Sequence, residues 1–133
     1  MSHEILNPKN WKPAKGYANG IAAEGRMIFC GGLIGWTGDQ QFETDDFVGQ
    51  VAQVLRNIVA VLAEGDARPD HLVRLTWYVT DKHEYLGRLP ELGAVYREII
   101  GRHFPAMALV QVGELVEDRA KVEIEATAVV PQP

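Results

Sequence analysis

The spacing of apolar residues changes at Phe47, and this change limits the possible folds more than any other feature of the sequence. From Phe47, apolar residues recur every three or four positions over about five turns, which predicts an amphipathic helix that ends near Gly65. Asp46 precedes it, where negative charge favours a helix N-terminus. The segment Leu72 to Val79 then alternates its side chains, as a strand inside a sheet does. A helix packed on a sheet is therefore expected.

The remaining segments complete the order β-β-α-β-α-β-β. The first two strands are predicted to form a hairpin with its turn at Glu24-Gly25, and Pro90 either kinks the second helix or marks a fresh start. The predicted elements are Gly16–Ala23, Arg26–Gly31, Phe47–Gly65, Leu72–Val79, His83–Gly101, Ala106–Val112 and Lys121–Val130.

The element order predicts an α+β fold with two layers. Two helices cannot cover both faces of a mixed sheet of five or more strands, so they are expected on one face. The last strand places Glu123 and Glu125 on one side and apolar residues on the other. A half-apolar sheet face without helices is typical of an oligomer interface, so an oligomer is expected.

Length and composition limit the class of protein. The 133 residues make one domain, residues 1–133, and the hydrophobic fraction of 47% excludes disorder. A net charge of -5 disfavours nucleic-acid binding. No apolar run approaches the roughly 20 residues of a membrane helix, and the N-terminus does not resemble a secretory signal, so a cytoplasmic protein without membrane contact is expected.

The cysteine and histidine residues do not suggest a metal site. Cys30 is the only cysteine, and the four histidines stand far apart in the sequence. A lone cysteine in an apolar strand is usually a small buried hydrophobe, so we expect Cys30 to be structural. No metal and no organic cofactor are expected.

Five segments together resemble the Rid family, the reactive-intermediate deaminases also called YjgF-type proteins. The long run from Asp46 to Gly65 and the run from Pro69 to Asp81 are similar to the middle of that family. Gly16-Tyr17, Phe29-Cys30-Gly31-Gly32 and Val122-Glu123-Ile124-Glu125-Ala126 are similar to its first strand, its apolar-Ser-Gly segment and its closing motif. The resemblance covers nearly the whole chain in order.

The resemblance implies a chorismate-mutase-like fold that forms a homotrimer with ligand clefts between subunits. It also implies hydrolysis of amino-acid-derived imines and enamines, notably 2-aminoacrylate, to a 2-oxo acid and ammonia without a cofactor. By the same resemblance, Glu123 is the candidate catalytic residue that positions water. The resemblance also implies that Tyr17 lines the cleft. Independently of the family, Gly31 belongs to a run of turn glycines, and its missing side chain would let the backbone approach a ligand.

Two positions depart from the family pattern. Met107 stands where the family's Pro-Ala-Arg segment has the arginine that grips the substrate carboxylate, and Gly93 stands where an Asn is frequent. A thioether offers neither the charge nor the two-point fork of a guanidinium, so activity on 2-aminoacrylate is not expected. Met107 is then either core packing or the wall of a pocket for a more apolar ligand.

Two functions remain open at this stage. The chain is either an imine or enamine hydrolase that uses Glu123, or a non-catalytic ligand- or partner-binding trimer with the same fold. Whether another cation reaches the cleft separates them. The candidate cations are Arg26, Arg74, Arg102, Arg119 and Lys121.

Overall fold

The protein, examined as a computed structural model, is described over residues 3–133, which form six strands, three α-helices and one short 3-10 helix at Pro69–His71. The elements are β1 Glu4–Leu6, β2 Gly20–Ala22, β3 Arg26–Ile34, α1 Phe47–Glu64, β4 Leu72–Val79, α2 Lys82–Leu86, α3 Leu89–Ile99, β5 Ala106–Gln111 and β6 Val122–Val130. The expected α+β class is confirmed, with one more helix than predicted.

The main sheet is mixed and has four strands in the order β3-β6-β4-β5. β4 and β5 run parallel, while β6 is antiparallel to both β3 and β4. The expectation of five or more strands in one sheet is wrong, because β1 and β2 pair only with each other in a separate two-stranded sheet.

The predicted hairpin between the first two strands is also wrong. β2 has only three residues and pairs with β1 instead of β3, and Glu24-Gly25 connects two different sheets. The strand β1 was not predicted, because a three-residue strand is too short to show an alternating pattern. β3 runs past Gly31 to Ile34 through an irregularity between Cys30 and Leu33.

The second predicted helix is two helices. α2 ends at Leu86, and α3 begins at Leu89 with Pro90 in its first turn, where the missing amide hydrogen costs nothing. Pro90 therefore marks the start of a new helix and not a kink, which confirms one of its two interpretations. The break turns α3 so that it can pack on α1.

The helix α1 carries the core. Asp46 caps it by accepting a hydrogen bond from the amide of Gly49, and its apolar face packs on β3, β6 and α3. Gln50 is fully buried and satisfied, since its amide donates to the carbonyls of Thr44 and Arg119 and its oxygen accepts from the amide of Lys121. Within residues 3–133, α1 is the one helix long and apolar enough to cross a membrane, and its packing is that of a core helix.

The two faces of the main sheet differ. Along β6, Val122, Ile124, Ala126 and Ala128 are buried beneath the helices, while Glu125 on the other side is exposed. The side of the sheet that carries Glu125 is called the open face below.

Candidate functional site

A cavity of about 550 Å³ lies on the helix side of the sheet, between α3, the strands β4 and β5, and the segment Lys15–Tyr17. We call it the α3 cavity. Most of its wall is apolar, and five of its residues are aromatic: Tyr17, Trp77, Tyr85, Tyr96 and Phe104. A concave, largely aromatic site with a few polar groups at its edge is the usual form of a small-molecule pocket.

Backbone pairing places Tyr17 at this cavity. The amide of Ala18 donates to the carbonyl of Pro105 at 3.0 Å, and Ala18 forms a parallel bridge with Ala106 at the start of β5. The segment that follows Gly16 therefore runs beside the first residues of β5. Tyr17 and Met107 then line the same cavity although they are 90 positions apart in the sequence.

Met107 of β5 forms part of the cavity wall that the sheet provides. It pairs in register with Leu75 of β4, whose side chain is buried beneath the helices, and Met107 itself is half-buried. Residues directly opposite in neighbouring strands point to the same side of a sheet. The thioether therefore contacts the α3 cavity and lies on the opposite side from the open face.

Aromatic contacts make the wall rigid. The rings of Tyr96 and Phe104 stack with centroids 5.4 Å apart, and the Tyr96 hydroxyl donates to the carbonyl of His103 at 2.6 Å. Burial raises the pKa of Tyr96 well above its usual range, so this hydroxyl stays protonated. Trp77 meets Tyr85 edge to face at 5.9 Å. A ligand in the cavity would contact surfaces that are already ordered.

Two cations line the α3 cavity, and both were missed at the sequence level. They are Lys15, beside Tyr17, and Arg97 on α3. The guanidinium of Arg97 lies over Gly93, since its Nη1 atom is 3.1 Å from the position that a β-carbon on residue 93 would take. The spacing of four residues puts Gly93 and Arg97 on one side of the helix, and this signal could have identified Arg97.

None of the five cations proposed from the sequence lines this cavity. Arg26 donates to the carbonyl of Gly65, Arg119 pairs with Asp45 at 2.9 Å and Lys121 lies 3.5 Å from Glu84. Arg74 lies at the open face. Arg102 lines an adjacent cavity that shares Tyr17 with the α3 cavity.

Glu123 lies on the other side of the sheet from Met107. It pairs with Tyr78 and Ile34 in the neighbouring strands, and its carboxylate lies against Gly32 so closely that a β-carbon there would collide with it. A side chain at residue 32 would therefore force the end of the Glu123 side chain to move. Within the described chain, Glu123 does not line the α3 cavity.

Gly31 also lies away from Met107. It lines a shallow cavity of about 400 Å³ on the open face together with Phe29, Arg74, Glu125 and Thr127. The four predicted site residues thus separate into two groups: Tyr17 and Met107 meet at the α3 cavity, and Gly31 and Glu123 lie on the open face.

Glu125 makes a specific contact on the open face. Its carboxylate accepts a hydrogen bond from the Tyr78 hydroxyl at 2.9 Å. This hydrogen bond and the adjacent negative charge raise the pKa of Tyr78. The carboxylate of Glu125 therefore has a partner already.

Cys30 is buried, and burial raises the pKa of its thiol, so it is a poor nucleophile as expected. Among residues 3–133, no three His, Cys, Asp or Glu side chains come together as metal ligands.

Comparison with known proteins decides the family. The family described as Endoribonuclease L-PSP matches residues 8–130, which is almost the whole chain. A RutC family protein of Aquifex aeolicus is 31% identical over 128 residues, covering 95% of this chain and 98% of the relative. The chain belongs to the Rid family, also called YjgF/RutC.

Two further relatives are consistent with this membership. Protein DfrA of Myxococcus xanthus is 36% identical over 133 residues, covering 96% of this chain and 92% of that protein. The Rid-family protein YyfB of Yersinia pestis, described as of unknown function, has a solved structure that matches with a TM-score of 0.87 at 26% identity. That match covers 98% of this chain and 100% of YyfB. The fold that surrounds the α3 cavity is therefore shared with YyfB along almost the full chain.

Proposed function

We propose that this Rid-family protein hydrolyses an imine or enamine that carries a bulky apolar group, with release of ammonia. The single observation that supports the proposal is the aromatic α3 cavity, where Tyr17 and Met107 come together in a chain of this family. Burying apolar surface in such a cavity favours a ligand with a hydrophobic substituent.

The reaction balances without a cofactor. Water adds to the imine carbon, so that a C–O bond forms and the C=N double bond becomes single. The nitrogen takes up the proton released by the water and then the proton of the new hydroxyl group, the C–N bond breaks, and the products are a carbonyl compound and ammonia. An enamine is first protonated at its β-carbon to give the imine. A carboxylate that orients the water and accepts its proton would accelerate the addition, and Glu123 is the residue proposed for this role.

The proposed site needs more than one copy of the chain. Glu123 and Gly31 lie on the open face, and Met107 and Tyr17 lie on the helix side of the same sheet. Within one copy the sheet separates them. In the proposed homotrimer, the α3 cavity of one copy would be completed by the open face of the next, which would bring the carboxylate to the ligand.

The test is ammonia release from a panel of imines, each generated in the assay from an amino acid with an apolar, small or polar side chain. Glu123→Gln is expected to lower turnover at least about a hundredfold, since general-base assistance is worth that much or more. Glu125→Gln is the matched control on the same strand face and should retain most of the activity. Equal turnover for Glu123→Gln and the unmodified protein would contradict the catalytic role.

Little or no deamination of 2-aminoacrylate is expected. This substrate has almost no apolar group, so it would gain little from the aromatic wall of the α3 cavity. A carboxylate placed against Met107 would be unpaired there, because a thioether carries no charge, and an unpaired buried anion costs several kcal/mol, which is a loss of hundreds-fold or more. Met107→Arg should shift preference toward small carboxylate substrates. The same preference before and after this change would contradict the alignment of position 107 with the cavity.

The second candidate is a non-catalytic ligand-binding trimer. The observation that favours it is the position of Glu123 outside the α3 cavity of its own chain. This candidate predicts saturable ligand binding without ammonia release for any member of the panel. Cleavage of RNA, which the description of the family as Endoribonuclease L-PSP suggests, is disfavoured by the net charge of -5.

A further inference from the structure

We propose that Arg97 binds the carboxylate of the ligand, so that the substrate class is an imino or enamino acid with an aromatic or large branched apolar side chain. Lys15 adds a second positive charge at the same cavity. Hydrolysis of this substrate rests on the proposed function, whereas the binding of its carboxylate to Arg97 does not.

The guanidinium of Arg97 stands at the cavity without a protein partner. Arg97 lines the α3 cavity, yet across residues 3–133 its side chain makes no hydrogen bond or ion pair. Arg68, Arg88 and Arg119, in contrast, are each paired with a carboxylate at 3.1 Å or less. A guanidinium beside an apolar wall without a protein partner is available for a carboxylate, which it can hold by two parallel hydrogen bonds.

Gly93 lies beneath this guanidinium. The Nη1 atom is only 3.1 Å from the position that a β-carbon on residue 93 would take. Glycine in a helix interior costs stability relative to alanine. With no side chain at residue 93, the exposed Arg97 side chain can lie back along α3 at the edge of the cavity.

The cavity chemistry selects a particular kind of anion. Its positive charge comes from Arg97 and Lys15, while the large remaining wall is apolar and aromatic. Such a site suits one carboxylate joined to a hydrophobic group. A nucleotide or a polyphosphate would leave most of its charge against hydrocarbon, which is costly.

The experiment measures binding of phenylpyruvate, a stable carbonyl analogue of the imine, by isothermal titration calorimetry. Phenylacetone has the same ring and carbonyl without the carboxylate, and pyruvate has the carboxylate without the ring. We expect phenylpyruvate to bind more tightly than either. Arg97→Gln should weaken phenylpyruvate at least about tenfold and leave phenylacetone unchanged, because a charge-assisted two-point contact is lost.

Three further variants separate the role of Arg97 from a general change in net charge or in helix stability. Arg56→Gln removes the same charge from an exposed position on α1, away from the cavity, and should leave all three affinities unchanged. Gly93→Ala keeps the net charge and is expected to raise helix stability, yet it should weaken phenylpyruvate by displacing the guanidinium. Arg97→Lys should recover only part of the affinity, because an ammonium lacks the fork.

The outcomes separate the two proposals. If phenylpyruvate binds equally well to the unmodified protein, Arg97→Gln and Gly93→Ala, the assignment of Arg97 is wrong, whatever the turnover. If binding depends on Arg97 and no imine in the panel releases ammonia, the hydrolase proposal fails and the carboxylate site stands. Equal losses for Arg56→Gln and Arg97→Gln would indicate only a general charge effect and would also overturn the assignment.

Discussion

The two faces of the main sheet carry different chemistry although they are built from the same strands. On the helix side, Trp77 and Met107 line a cavity that has two cations near aromatic rings. On the open face, Glu123 and Glu125 lie among exposed apolar residues, of which Phe29 is 71% exposed. The two cations of the α3 cavity and the carboxylate proposed as the catalytic group are thus on opposite sides of one sheet.

This difference follows from the geometry of strands. Successive side chains in β4 point to opposite sides, so Leu75 and Trp77 enter the core while Thr76 and Tyr78 reach the open face. One chain cannot bring the two faces together around a four-stranded sheet. A site that uses both chemistries must therefore join two copies, and this requirement links the function to the oligomeric state.

The largest expected effect concerns the open face itself. Phe29→Asp should convert the proposed homotrimer to a single chain of 14.8 kDa, because three buried carboxylates would replace three apolar contacts. Light scattering coupled to size exclusion measures the mass. Val116→Asp is the matched control, since Val116 is 93% exposed in a loop, and this variant should keep the mass of the unmodified protein. An unmodified protein that already runs as a single chain would refute the trimer.

The second effect compares neighbouring residues of β4. Leu75 is 1% exposed beneath the helices, so Leu75→Ala should lower the free energy of unfolding by about 2 to 5 kcal/mol. Thr76→Ala, on the opposite side, should lower it by about 0.5 kcal/mol or less, as substitutions outside the core do. Urea denaturation followed by circular dichroism measures both. Similar losses for the two variants would show that the open face is as tightly packed as the helix side.

The smallest effect is a change in one pKa on the open face. The Glu125 carboxylate accepts the hydrogen bond of the Tyr78 hydroxyl and repels its ionised form, so it raises the pKa of Tyr78. Glu125→Gln removes this negative charge and should lower the pKa of Tyr78 toward its usual value. An NMR titration of the tyrosine ring measures the shift. Glu123→Gln, whose charge is a weaker cause, should lower it less; the reverse order would contradict the observed pairing.

Much of the fold could be predicted because its signals are local. The three-to-four period of α1 and the alternation of β4 each reflect one element meeting one apolar layer, and both elements lie where the pattern predicted them. The false hairpin at Glu24-Gly25 shows the limit of this reasoning. A turn sequence between two short strands does not specify which partner each strand takes, and β2 pairs with β1 from the N-terminal segment.

By itself, the sequence determined the α+β class and the family. The alignment of Met107 with the family's arginine position stays a prediction. Only the tertiary structure decided which side chains share a cavity. Tyr17 meets Met107 through a backbone hydrogen bond from Ala18 to Pro105, and Arg97 reaches the same cavity because α3 begins afresh at Leu89 and Gly93 leaves space above it. Periodicity depends on neighbours within one element, whereas a binding site depends on how separate elements pack, and that information is not present in any single stretch of the chain.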